Sequence, residues 1–272
     1  MAPVPFSSCI ARLNRAVDHR NAFGEAWAQF LAPHPYRVYY EVADDGQGRV
    51  AIARDAAIPE HLPLLIGEFL YEMRAALDNC LYEMAVWHTG QNPPPDDHLL
   101  QFPIYETAAG WKKNLHRLKH LSDEHRQMLE RIQPYNAERQ DLNCLSLLNR
   151  MAAYDRHRTV HVVGAFLVEG ALVIEGPVGS TVTTFETPKA VVVDEDATIG
   201  RFHVAPWTPG QEMMLYPNLV LEVEIAEMAA DRPWGPLSRR LYAIRKATGD
   251  YIEVLAAYAQ GFTKPDPDLS GT

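Results

Sequence analysis

Residues 64–87 read LLIGEFLYEMRAALDNCLYEMAVW. Ile66, Met73, Cys80 and Trp87 recur seven apart, and Leu70, Leu77 and Met84 form a second row between them. Two such rows merge into one apolar stripe on a helix, so the segment is predicted to be a long helix packed in a bundle. Polar residues decorate its other faces. Arg74 and Asp78, four apart, share a face and can pair, with Tyr82 one turn further on. Asn79 lies about 140° around the helix from Arg74. Glu68, Glu72, Asn79 and Glu83 make a second polar line. Two carboxylates one turn apart can hold a divalent ion only if a facing helix adds ligands. No Glu-x-x-His accompanies them, so no metal is expected.

Outward from this helix the patterns change. Ile10, Leu13, Val17, Phe23, Trp27 and Phe30 predict an N-terminal helix ending at Pro33, with Ser7 and Ser8 as candidate caps. Tyr36, Val38, Tyr40 and Val42, then Val50 and Ile52 across the Asp44–Gly48 turn, alternate as a β-hairpin does. Beyond Pro93–Pro95 and the extended Phe102-Pro103-Ile104, helices are predicted over 108–118, 122–132 (capped by Ser122) and 142–160. From Val162 onward the runs are β-rich: 162–168 and 171–174 flanking Glu169-Gly170 as a second hairpin, then 181–185, 190–193, 202–204 and 219–225. A helix over 237–258 precedes a polar tail.

Segregated helices and strands predict an α+β fold, a helical bundle beside an antiparallel β-sheet, with the early hairpin joining the C-terminal strands. Read as regions, 1–161 is mainly helical with that hairpin, and 162–272 is antiparallel β with a closing helix. The hairpin could also make one continuous domain of the two.

Length and composition agree with a globular chain. The 272 residues are 47% hydrophobic and 22% charged, which excludes disordered, collagenous and coiled-coil classes. The net charge of −10 argues against a protein that coats nucleic acid with its whole surface. Three scattered cysteines, Cys9, Cys80 and Cys144, read as reduced core thiols. No apolar run reaches the ~20 residues of a membrane span, and residues 1–13 have no secretory pattern, so a cytoplasmic location is expected.

The charge is uneven. Between Trp111 and His161 ten Lys/Arg face six Asp/Glu, a local balance of +4 against −14 elsewhere. Five of the eleven histidines fall there too, so RNA or another anionic ligand would approach this region. Asp155 falls four after Met151 and seven after Leu148, on the face they bury, and therefore calls for a cation: Arg158 or Arg74. His157 and His161, four apart at the end of the predicted helix, can both face a ligand. In the first hairpin, Tyr36, Tyr39 and Tyr40 offer stacking surface, although strands favour tyrosine for packing alone. No GxSxG, GxGxxG, GxxxxGK[ST] or EF-hand loop is present, and no cofactor is expected.

Arg74-Ala-Ala-Leu-Asp78-Asn79, followed by Asn149 and Asp155-Arg156-His157-Arg158, resembles a group of uncharacterised bacterial proteins. In these, one helix carries Arg-Ser-Ala-Leu-Asp-His and a later one ends in Asp-Lys-His-Arg. The first motif is also similar to the Arg-x4–6-His signature of HEPN-type ribonucleases, helical enzymes that cleave RNA without metal, commonly across a dimer interface. The resemblance covers two helices. It implies a homodimer with a site built from Arg74, Asp78, Asn79, Asp155, His157 and Arg158, while His161, Tyr82 and Tyr40 are candidate ligand contacts read from the residues themselves. Asn79 stands where that superfamily has His and cannot exchange a proton near neutral pH. The imidazole then has to come from His157 or His161, or the protein binds RNA as a catalytically degenerate relative. Two other readings stand beside it: a small-molecule enzyme or binding protein using a bundle/sheet cleft, and a non-catalytic interaction module with a buried ion-pair network.

Overall fold

The computed structural model describes residues 5–168, 172–186, 188–228 and 235–260. The fold is α+β, with six helices and antiparallel sheets among the described residues. The elements run α1 (Ser7–Leu31), β1 (Tyr36–Val42), β2 (Gln47–Arg54), α2 (His61–Thr89), α3 (Ala108–Asn114), α4 (Asp123–Arg131) and α5 (Cys144–His157). Then come β3 (Val162–Val168), β4 (Val173–Glu175), β5 (Thr181–Glu186), β6 (Ala190–Val193), β7 (Asp196–Ala205), β8 (Met214–Tyr216), β9 (Leu219–Ile225) and α6 (Leu237–Ala259). The chain divides into two compact units, each assembled from separate stretches. One comprises residues 1–24, 63–160 and 233–272; the other comprises 25–62 and 161–232. No helix of the described residues is long and apolar enough to cross a membrane.

The helical unit is organised on α2. Ile66, Phe69, Leu70, Met73, Leu77, Cys80, Leu81 and Met84 are all at most 1% exposed, the stripe expected from the spacing. Trp87 departs from it at 51% exposure, because the packed part of the helix ends one turn earlier. In the same unit α5 buries Leu145, Leu147, Leu148 and Met151, and α6 buries Leu241, Ile244, Ile252 and Leu255. The N-termini of α4 and α5 carry side-chain caps, the predicted Ser122 and, without prediction, Asn143. Ser122 Oγ accepts the His125 N–H at 3.1 Å, and Asn143 Oδ1 accepts from Leu145 (2.9 Å) and Ser146 (3.1 Å). The predicted helix over 108–118 is shorter, passing into a 3-10 turn at Leu115–Leu118.

In the sheet unit the early hairpin joins the later strands, in the order β1-β2-β7-β5. Gly48 faces Phe202 across β2 and β7, and a Cβ there would lie 2.3 Å from the ring's Cζ, so only glycine lets the buried ring cross the strand. Val50, Ile52, Val193, Ile199, Phe202 and Val204 form this unit's core, and Tyr36 and Tyr40 pack against it. Tyr39 points the other way, between Arg37 and Arg49 at 5.0 and 5.9 Å. The second predicted hairpin is not formed between β3 and β4. Instead β3 pairs with β6 and β9, and β4 pairs with β8. Its turn falls partly at 169–171, outside the described residues. Alternation identified these strands but said nothing about their partners, which long-range packing selects.

Candidate functional site

Arg74 and Asp78 converge on the extended segment that follows the proline run. The Phe102 N–H donates to Asp78 Oδ1 at 2.7 Å, and Arg74 Nη2 donates to the Phe102 carbonyl at 3.4 Å. Both polar groups of one backbone residue are therefore held by side chains one helical turn apart. Gln133 continues the clamp. Its amide donates to the carbonyls of Pro103 (3.1 Å) and Leu129 (2.8 Å) and accepts the Tyr105 N–H (2.9 Å). Gln133 is fully buried, and no periodicity marks it in the sequence: a glutamine after a short helix looks like a surface residue until the segment it grips is seen.

Burial opposes charge at both groups. It pushes the Asp78 carboxyl up, against the Phe102 N–H and Arg74, which pull it down. It pushes the Arg74 guanidinium down, with Asp78 resisting and Arg156 adding to the fall. The Arg74 Nη1 is buried and has no hydrogen-bond partner among the described residues. Tyr82 is drawn away from the cluster, its hydroxyl donating to Asn92 Oδ1 at 2.9 Å. Asn79 is half-buried on the adjacent face.

The end of α5 differs from expectation in two ways. Asp155 meets neither Arg158 nor Arg74. Its carboxylate rests against Gly67 of α2, where a Cβ would lie 2.6 Å from Oδ1. Gly67 is two turns from Arg74, about 10 Å along the axis, while Arg158 lies over the Tyr154 ring at 5.7 Å. Among the described residues no cation offsets Asp155, and burial alone pushes its carboxyl up. Second, His157 and His161 do not lie one turn apart on a helix. The helix ends at His157, because Arg158 is extended at φ −166° and ψ 149°. His157 is exposed. His161 belongs to the sheet unit, where Nε2 meets Asp194 Oδ1 at 3.2 Å and its N–H donates to Glu227 at 3.2 Å. Tyr40 is in that unit as well, its hydroxyl accepting the Met213 N–H at 3.0 Å.

Two carboxylates of the second polar line are engaged within the helical unit. Glu72 takes Arg12 at 3.0 Å, and Glu68 meets His19 Nδ1 at 2.9 Å, which ties α1 antiparallel to α2. Among the described residues no three His, Cys, Asp or Glu are arranged to hold a metal ion. Part of the 111–161 charge is also neutralised in place. Lys119 and His120 grip Asp96, pulling its carboxyl down to about 2, with Lys119 the larger influence. Arg139 pairs with Asp141, and Arg126 with Asp123. Lys112, Lys113, Arg156 and His157 remain at the surface.

No protein-family model matches the chain, and no curated protein or solved structure does either.

The Asp155 geometry has a measurable consequence. The folded carboxyl holds its proton more tightly than the unfolded chain, whose aspartate titrates near ~3.9. Folding stability from this group therefore falls as pH rises through the interval between the two values, and the penalty persists above it. Asp155→Asn is expected to melt higher than wild type at neutral pH. That advantage shrinks to nothing as the pH drops below the unfolded-state value, a trend read from paired thermal melts.

Proposed function

We propose that the protein is an HEPN-like RNA-binding protein whose cleavage chemistry is degenerate, engaging RNA through the end of α5 and the Arg74 face of α2. The observation that carries this reading is the buried Arg74 Nη1, which lacks a hydrogen-bond partner among the described residues, on a guanidinium that also feels the charge of Arg156. Two guanidinium groups in mutual repulsion are stabilised by an anion, and the planar fork suits a phosphate. Exposed His157 and Arg158 extend the cationic surface along the chain, and Arg158 presents a plane for a base beside Tyr154. Binding is favoured over cleavage on chemical grounds. Asn79 cannot move a proton, Asp78 is occupied by Phe102, and His157 has no carboxylate orienting it among the described residues. Dimerisation and a cytoplasmic location belong to the same proposal.

The test is fluorescence anisotropy with a labelled unstructured single-stranded RNA across a salt series, with the RNA recovered and sized afterwards. Saturable, salt-weakened binding to intact RNA is expected. The Arg156→Ala/Arg158→Ala variant should bind more weakly and flatten the log–log salt slope by about one for each phosphate it no longer neutralises. Absence of saturable binding at low salt, or identical behaviour of the double variant, overturns the proposal. Metal-independent cleavage abolished by Arg74→Ala and His157→Ala would restore the full nuclease reading in place of the degenerate one. Light scattering of the same samples reads the dimer.

A further inference from the structure

We propose that a groove on the helical unit, between α1, α2 and the end of α5, binds a small organic cation, a primary ammonium on an apolar stem, with Asp155 as its counter-ion. The groove encloses about 540 Å³, within the range of small-ligand pockets. Its wall includes Arg15, His19, Leu64, Glu68, Tyr71 and Asp155. Each of the other charged groups there already has a partner. Glu68 meets His19 at 2.9 Å, Glu72 meets Arg12 at 3.0 Å, and Arg15 leans toward Asp18 at 3.9 Å. Asp155 alone is left without a cation among the described residues, although Gly67 lets it sit against the α2 backbone. A partly desolvated carboxylate in that state is stabilised by any cation that reaches it. Three metal-ligating side chains do not converge there among the described residues, so the geometry does not build a metal site.

The apolar half of the ligand follows from two side chains that helix packing leaves bare. Leu64 is 58% exposed and Tyr71 is 64% exposed, seven residues apart and on one face of α2, and both line the groove. The guanidinium of Arg12 stands over the Tyr71 ring at 5.8 Å, so this ring already serves as a surface for cations. An ammonium at Asp155 with its stem along Leu64 and Tyr71 satisfies the carboxylate and covers the apolar pair together. The site shares no cationic residue with the RNA-binding face, and the Arg156→Ala/Arg158→Ala variant is expected to keep it.

The experiment is calorimetric titration of the full chain with benzylamine, using benzyl alcohol as the uncharged analogue. Saturable benzylamine binding is expected, with a Kd on the order of 1 mM for so open a groove, and none with benzyl alcohol. Asp155→Asn should weaken binding about tenfold and Tyr71→Ser about threefold, the latter matching partial loss of the stem's apolar contact. Glu124→Gln, a carboxylate elsewhere on the surface, should leave binding unchanged. No saturable binding by wild type, equal binding of benzyl alcohol, or undiminished binding by both groove variants overturns the proposal. So does Asp155-dependent binding of manganese(II) in place of the amine. Should Asp155→Asn fail to fold, the surface variant Tyr71→Ser carries the test.

Discussion

Alanine at position 133 is expected to lower the unfolding free energy by about 4 kcal/mol. The physical reason is that Gln133 satisfies three backbone groups at once. Removing its amide strands the Tyr105 N–H and the Pro103 carbonyl away from water, and it frees the Leu129 carbonyl as well. A cavity is added where a fully buried side chain stood. Glutamate does not rescue the position, because it loses both donors and brings a charge into a dry site. Thermal and urea melts read the effect, with a fall in Tm of roughly 10 °C expected for a chain of this size. A change within the ordinary surface range, about 0.5 kcal/mol, would show that water or a local shift replaces the clamp.

Asp78→Ala is expected to cost about 3 kcal/mol. Two losses coincide: the Phe102 N–H gives up its acceptor, and the half-buried Arg74 gives up the carboxylate that resists the fall in its affinity for a proton. Asp78→Asn keeps an acceptor oxygen and removes only the charge, so it should fall between wild type and alanine. The decisive measurement is a double-mutant cycle. Arg74→Met together with Asp78→Leu removes both charges and should recover much of the loss, because the cost lies in leaving one ion unpaired in a desolvated place. If each single variant matches wild type, the pair is solvated and Phe102 is held by other means.

These two positions show how unevenly the site could be read beforehand. Arg74 and Asp78 were identifiable from their four-residue spacing on a strongly periodic helix. Their common target, the backbone of Phe102, was not, because a polar side chain reports that it wants a partner without saying which. Asp155 illustrates the same limit. Its place on the apolar face of α5 implied burial and hence a cation. The chain met the cost differently, by placing it beside a glycine at the rim of a groove, where solvent reaches it. Gly67 gave no signal of that role. His157 and His161 were paired on a helix that stops too soon, since the residue that ends it, Arg158, carries none of the glycine or proline marks of a terminus.

Local chemistry determined the helices and strands themselves. A seven-residue repeat, serine and asparagine caps and two-residue alternation act over a few residues of chain, and each is legible wherever it occurs. The sequence already places the early hairpin among the later strands, but that its partner is β7, that β3 abandons its neighbour for β6 and β9, and that Asp155 faces Gly67 were decided only by tertiary structure. Those outcomes depend on which distant surfaces exclude water together. Pairings of that kind depend on the shape of every other element, so no short stretch of residues encodes them.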